Sequence, residues 1–78
     1  MTLTEIMEIQ NCEKKQLLEN NSEYKVYVIY SDNIMESGSY GKPKFVIDYG
    51  NHAVMCISNK ITEYMKKYSK KIIYLNTK

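Results

Sequence analysis

The chain has 78 residues, a formal net charge of +2, and 44% hydrophobic and 26% charged residues. This length predicts one domain, 1–78, with a thin core, and the composition is that of a folded protein. No apolar run approaches the roughly 20 residues of a membrane-spanning helix. The start of the chain, with Glu5 and Glu8 and no lysine, is unlike a secretory signal. We therefore expect a cytoplasmic protein.

The first predicted element is a helix over 4–19. Thr2 or Thr4 can cap its start, and glutamates in its first turns suit the helix dipole. Its apolar stripe weakens in the middle, and Asn20 and Asn21 supply a stop because asparagine tolerates the left-handed conformation.

Three strands are predicted next. Residues 24–30 are almost all β-branched or aromatic and are apolar on both faces, which predicts a central strand. Residues 44–49 and 53–58 alternate in polarity and meet at Gly50 and Asn51, which favours a tight hairpin.

A second helix is predicted over 59–69, where the apolar stripe consists of Ile61, Tyr64, Met65 and Tyr68. Residues 72–75 are predicted to form a short last strand. The order α-β-β-β-α-β predicts an α+β fold: a small antiparallel sheet of three to four strands with two helices packed on one face.

Residues suited to catalysis are few. His52 is the only histidine and lies in the predicted hairpin, where an exposed turn residue is favoured over a general base or metal ligand. Strand spacing places Cys56 about 13 Å from His52, too far for a cysteine–histidine pair. Cys12 and Cys56 are expected to be free, buried thiols. We expect no enzymatic activity, no catalytic residue, no metal site and no cofactor.

A loop of about a dozen residues is predicted between the first two strands, and loops of this length are often functional. Ile34 and Met35 are apolar residues within it, and they either enter the core or contact a partner. With Glu36 and Tyr40 they are the predicted partner-binding residues. The leading hypothesis is a non-enzymatic protein–protein interaction module.

Charge is divided unevenly along the chain. Residues 1–36 carry seven acids against three lysines, and residues 37–78 carry eight lysines against two acids. This asymmetry favours a second hypothesis, a nucleic-acid-binding protein that uses exposed tyrosines and a lysine set consisting of Lys42, Lys44, Lys66, Lys67, Lys70 and Lys71. A solvated helix end and an acidic first helix that binds a basic partner are the alternatives. The lack of arginine disfavours base-specific contacts.

Lysine, asparagine, isoleucine and tyrosine are abundant and arginine is absent, a composition typical of AT-rich genomes. In this character the chain is similar to small proteins of phages and other mobile elements, several of which are stoichiometric inhibitors of host enzymes, anti-CRISPR proteins among them. The similarity is one of general character and not of sequence, and no residue roles follow from it. It implies an inhibitor or regulator of a host protein. Because helices on one face would leave the other bare, a homodimer is also expected.

Overall fold

The computed structural model describes residues 1–31 and 44–73. Its elements are α1 (Leu3–Ile9), β1 (Lys14–Asn20), β2 (Lys25–Tyr30), β3 (Lys44–Asp48), β4 (Ala53–Met55) and α2 (Ser58–Tyr68). The strands form one antiparallel sheet in the order β1-β2-β3-β4. The predicted α+β class, with two helices and a small antiparallel sheet, is confirmed, but the order of elements is α-β-β-β-β-α.

The helix predicted over 4–19 is wrong beyond its first two turns. The Thr2 side chain accepts the Glu5 N–H at 3.3 Å, and the Glu5 carboxylate accepts the Thr2 N–H in return, so the predicted cap is present. Asn11 adopts a φ of 55°, the left-handed conformation that asparagine tolerates. The chain therefore leaves the helix after Ile9, well before the predicted stop.

The segment after α1 is a strand because it pairs with β2. Lys14 lies opposite Tyr30, and the pairing continues to the turn that joins the two strands. There the Asn21 side chain accepts the N–H groups of Glu23 and Tyr24, each at 2.9 Å. Asn21, predicted to stop a helix, instead closes a hairpin, and tertiary pairing overrides the helix propensity of residues 14–20.

One residue of β1 has no partner in the ladder. Leu17 lies opposite Tyr27 and Glu19 lies opposite Val26, so Leu18 is an extra residue and forms a β-bulge. The bulge brings Leu18 and Glu19 to the same face, where Leu18 is fully buried and Glu19 reaches α2.

Two hydrophobic clusters lie on opposite faces of the sheet. Along β2 and β3 neighbouring side chains divide between them, because successive residues of a strand point to opposite sides. The cluster with α2 contains Leu18, Val26, Val28, Phe45, Cys56, Tyr64, Tyr68 and Ile72. The cluster with α1 contains Leu3, Ile6, Cys12, Ile29, Val46 and Ala53. The prediction that both helices pack on one face is wrong, and a helix on each face explains why β2 is apolar on both sides.

The other element boundaries follow the sequence closely. The strands predicted over 24–30 and 44–49 and the helix predicted over 59–69 are confirmed to within one residue at each end. The strand predicted over 53–58 ends at Met55, since α2 begins shortly after it. At the hairpin tip Gly50 has a φ of 98°, which a residue without a side chain adopts readily.

The chain after α2 lies beside β1 without forming a strand at Ile72 or Ile73, and residues 74–75 of the predicted last strand are outside the described ranges. The Gln16 side chain replaces strand pairing here. Its Nε2 donates to the Lys71 carbonyl at 2.7 Å, and its Oε1 accepts the Ile73 N–H at 2.9 Å.

Glu19 links β1 to α2. Its carboxylate accepts the Tyr68 hydroxyl at 3.0 Å and lies 3.4 Å from Lys67 Nζ. The Tyr68 hydrogen bond is the largest cause that lowers the pKa of Glu19, and Lys67 and a hydrogen bond from Tyr24 act in the same direction, against partial desolvation.

Replacing Leu18 tests its burial on the α2 face. Leu18→Ala is expected to lower the free energy of unfolding by about 2–5 kcal/mol, because it opens a cavity in a fully buried site. Leu17→Ala removes a side chain that is 41% exposed and should cost less than about 1 kcal/mol. Urea denaturation of both variants measures the difference. Similar losses in the two variants would contradict the burial of Leu18 in the core.

Acid should weaken the contact between Glu19 and α2. A lowered pKa in the folded state stabilises the fold fully above the ordinary value of 4.5, and this stabilisation is lost as pH falls below it. Between pH 7 and pH 3 the Tm of the wild type should therefore fall more than that of Glu19→Gln. Exposed Glu8→Gln, with the same charge change, should follow the wild type. Parallel curves for all three proteins would show that the contact does not contribute.

Candidate protein-binding surface

The hairpin of β3 and β4 carries three cross-strand pairs on the face that α2 covers. They are Phe45–Cys56, Ile47–Val54 and Tyr49–His52. α2 packs on the first pair, where the rings of Phe45 and Tyr64 meet edge to face with centroids 5.7 Å apart. Beyond this contact Val54 and Tyr49 are each 44% exposed. The helix thus leaves the outer part of the hairpin open to solvent.

Three rings stand side by side across β2, β3 and β4 at this end of the sheet. Tyr24 meets Tyr49 edge to face at 6.0 Å between centroids, and His52 stacks on Tyr49 at 4.9 Å with 14° between the ring planes. These contacts hold Tyr49 in place while part of its ring faces solvent. An aromatic side chain ordered in advance loses little entropy when a partner binds it.

Exposed apolar side chains concentrate at the edge of the sheet that β4 forms. Of the seven large ones in the described part of the chain, four lie at β4 or beside it: Met1, Tyr49, Val54 and Ile57. Ile57, 73% exposed, directly precedes α2, and the Met1 carbonyl accepts the Ala53 N–H. We call Tyr49, Val54 and Ile57 the hairpin patch. Neighbouring exposed apolar residues are more typical of contact surfaces than scattered ones, so the hairpin patch is the candidate binding surface.

Asp48 and Asn51, which are close to His52 in the sequence, form hydrogen bonds within the hairpin turn. The Asp48 carboxylate accepts the Gly50 N–H at 2.9 Å, and His52 Nδ1 lies 2.7 Å from Asn51 Oδ1. Asp48 lies opposite Ala53 in the ladder, whereas His52 stacks on Tyr49. The carboxylate and the imidazole therefore do not form a catalytic pair.

Both cysteines are free and buried, in clusters on opposite faces of the sheet. Burial raises the pKa of the Cys12 thiol, an effect that Lys44 partly offsets, and burial likewise raises the pKa of Cys56. Burial also raises the pKa of Tyr64 to about 12. A thiol with a raised pKa is a poor nucleophile at neutral pH.

Among the depressions on the described part of the surface, two are open to solvent and border the strands. One, of about 170 Å³, lies between the two hairpin tips and is lined in part by Tyr24 and Asp48. The other, of about 350 Å³, lies beside β1 and is lined in part by Glu19 and Tyr68. Within residues 1–31 and 44–73 no three potential metal ligands converge. In the same ranges no helix has the length and apolar character needed to cross a membrane.

The lysines of the nucleic-acid hypothesis do not share one face. Lys44 lies opposite Ile29 on the face of α1, whereas the other four described lysines of that set lie at the end of α2: Lys66, Lys67, Lys70 and Lys71. Lys71 Nζ donates to the Leu18 carbonyl at 2.6 Å. Lys42 is outside the described residues.

The predicted partner-binding residues of the loop, Ile34, Met35, Glu36 and Tyr40, also lie outside the described residues. The sequence analysis missed the hairpin patch. The alternation of the hairpin places Tyr49 and Val54 on one face, and this much could have been predicted from the sequence. How far along that face α2 extends its cover is decided by tertiary packing.

No protein-family model, curated protein or solved structure matches this chain.

Thiol labelling tests the burial of the cysteines. At pH 7 the native protein should react with a thiol reagent at least about tenfold more slowly than the protein unfolded in urea, because both thiols are buried and protonated. The single variants Cys12→Ala and Cys56→Ala assign the rates. Rapid labelling of either thiol in the native protein would show an accessible, activated cysteine.

Proposed function

We propose that the protein is a non-enzymatic protein–protein interaction module that inhibits or regulates its partner by occupying a surface of it. The single observation that supports this function is the hairpin patch. Tyr49, Val54 and Ile57 expose apolar area together at one edge of the sheet, beside rings that hold Tyr49 in position. Burial of such side chains is the main favourable term in protein association.

Energetics favour a protein over a nucleic acid at this surface. Full burial of a large apolar side chain contributes about 1.5–3 kcal/mol, so three partly exposed ones form the centre of an interface and need flanking contacts. Stacking of His52 occupies one face of Tyr49, which leaves at most one face for a nucleobase.

The loop residues Ile34, Met35, Glu36 and Tyr40 form a second part of this proposal. β2 ends at Tyr30 and β3 begins at Lys44, both at the sheet end away from the hairpin tip. The contribution of the loop residues is proposed to be separable from that of the hairpin patch, and changing Ile34 and Met35 to serine should weaken partner binding without unfolding the domain.

Residues 1–31 and 44–73 show no thiol or histidine arranged as an activated catalytic group, and a small protein of this kind acts most simply by stoichiometric occupation. We propose that it does so in the cytoplasm, where free thiols such as Cys12 and Cys56 stay reduced. Its composition fits a protein of a phage or mobile element that acts on a host protein. A homodimer joined through the hairpin patch is one form of the proposal, and light scattering distinguishes it.

Site-specific photocrosslinking in the source cells tests the proposal. A photoreactive residue at Val54 should give a discrete protein adduct, because this side chain lies in the patch. The same residue at Thr62, which is exposed on α2, is the matched control and should give none. Tyr49→Ser should reduce the Val54 adduct several-fold.

An adduct of twice the protein's own mass would identify the homodimer. Absence of any protein adduct at Val54, or equal adducts at Val54 and Thr62, would contradict the proposed surface. Circular dichroism of each variant excludes unfolding as the cause.

A further inference from the structure

The two edge strands of the sheet differ in how their outer sides are covered. β1 carries a bulge at Leu18, and the Leu18 carbonyl accepts Lys71 Nζ at 2.6 Å. The Gln16 side chain holds the chain after α2 against the same strand. Bulges, lysines and covering segments are devices that keep an edge strand from pairing with another chain. The β1 edge is therefore protected.

The edge at β4 has no such device apart from its short length. Its three residues, Ala53, Val54 and Met55, include no charged residue, no proline and no bulge. β4 is the last strand in the sheet order, and within residues 1–31 and 44–73 no further strand pairs with it. A strand of this kind offers its outer backbone groups to another chain.

The hydrogen bonds of the hairpin determine which backbone groups face this edge. Cys56 N–H donates to the Phe45 carbonyl at 3.0 Å, so these two residues form a hydrogen-bonded pair. In an antiparallel ladder such pairs alternate with pairs that exchange no hydrogen bond. Met55 lies opposite Val46 in a pair of the second kind, so its N–H and its C=O both point away from β3. Both groups are directed at the outer edge.

The first residue of β4 already binds an added backbone. Ala53 N–H also points to the outer edge, and it donates to the Met1 carbonyl. The chain then enters α1 at Leu3, so this cover does not continue along β4. A segment that pairs at Met55 would lie beside Val54, which is 44% exposed on the α2 face. The open part of the edge therefore adjoins the hairpin patch.

We propose that a short extended segment of the partner protein adds to the edge of β4 and pairs with the Met55 backbone. This inference rests on the proposed function, because it names the form in which the partner binds at the hairpin patch. In strand addition, main-chain hydrogen bonds supply affinity and alternate side chains supply selectivity. The segment needs an apolar side chain beside Val54. Because the open edge is short, burial of the hairpin patch must add to the backbone pairing.

A second copy of this chain fits the edge poorly. Two β4 strands that paired in antiparallel fashion at Met55 would place Ile57 of each copy opposite Ala53 of the other. The Met1 carbonyl already occupies the Ala53 N–H, and α2 begins directly after Ile57. A segment of a different protein has to reach only Met55, so it avoids both obstacles.

Proline at position 55 tests strand addition. Met55→Pro removes an N–H that the hairpin ladder does not use, and proline is accepted on an edge strand where the N–H points outward. Met55→Ala is the matched control, because it shortens the side chain and keeps the N–H. With the photoreactive residue at Val54 in the source cells, Met55→Pro should give about threefold to tenfold less partner adduct than Met55→Ala.

Two further measurements do not depend on the proline variant. In the free protein the Met55 amide should exchange its hydrogen at least about tenfold faster than the Val54 amide, which lies in the ladder. A photoreactive residue at Met55 should give the same partner adduct as one at Val54, because an added strand borders both faces of β4. Circular dichroism checks that each variant is folded.

Each failure has a distinct meaning. Equal adduct yields in Met55→Pro and Met55→Ala, or an adduct at Val54 without one at Met55, would overturn strand addition and leave the hairpin patch as the interface. Equal protection of the two amides in the free protein would show that the edge is closed. An adduct of twice the protein's own mass would replace the partner with a second copy. No adduct at Val54 without other changes would overturn the proposed function itself.

Discussion

The two central strands bury side chains on both faces, and this constraint organises the molecule. Val28 faces α2 while the next residue, Ile29, faces α1, and Phe45 and Val46 divide in the same way. Both faces of such a sheet must be covered by other elements, because its apolar side chains are stabilised only when they are removed from water. A chain of 78 residues has little material for that purpose, so one short helix lies on each face.

The bulge at Leu18 lets two neighbouring residues of β1 contact the α2 side of the sheet. An uninterrupted ladder would alternate faces, and Leu18 and Glu19 could not both reach the helix. With the extra residue, Leu18 enters the core and Glu19 accepts the Tyr68 hydroxyl. The edge strand β1 is thereby joined to α2 by apolar packing and by a charge-assisted hydrogen bond.

The limited cover leaves two different surfaces at the two sheet edges. At β4, α2 extends no further than the Phe45–Cys56 pair, and the hairpin patch remains apolar and exposed. At β1, Gln16 holds the chain after α2 against the strand, so the lysines at the end of α2 lie near this edge. The two sheet edges therefore differ in chemistry: one exposes apolar side chains, and the other is rich in lysine.

Local sequence determined β2, the β3–β4 hairpin and α2, because their patterns of β-branched, turn and apolar residues agree with their final environment. Residues 14–20 are good helix formers, and only pairing with β2 makes them a strand. Which face each helix covers, the burial of Leu18 and the contact of Gln16 with the chain after α2 depend on contacts between distant segments. The hairpin patch also depends on tertiary packing, because Val54 is exposed only where α2 does not cover the sheet.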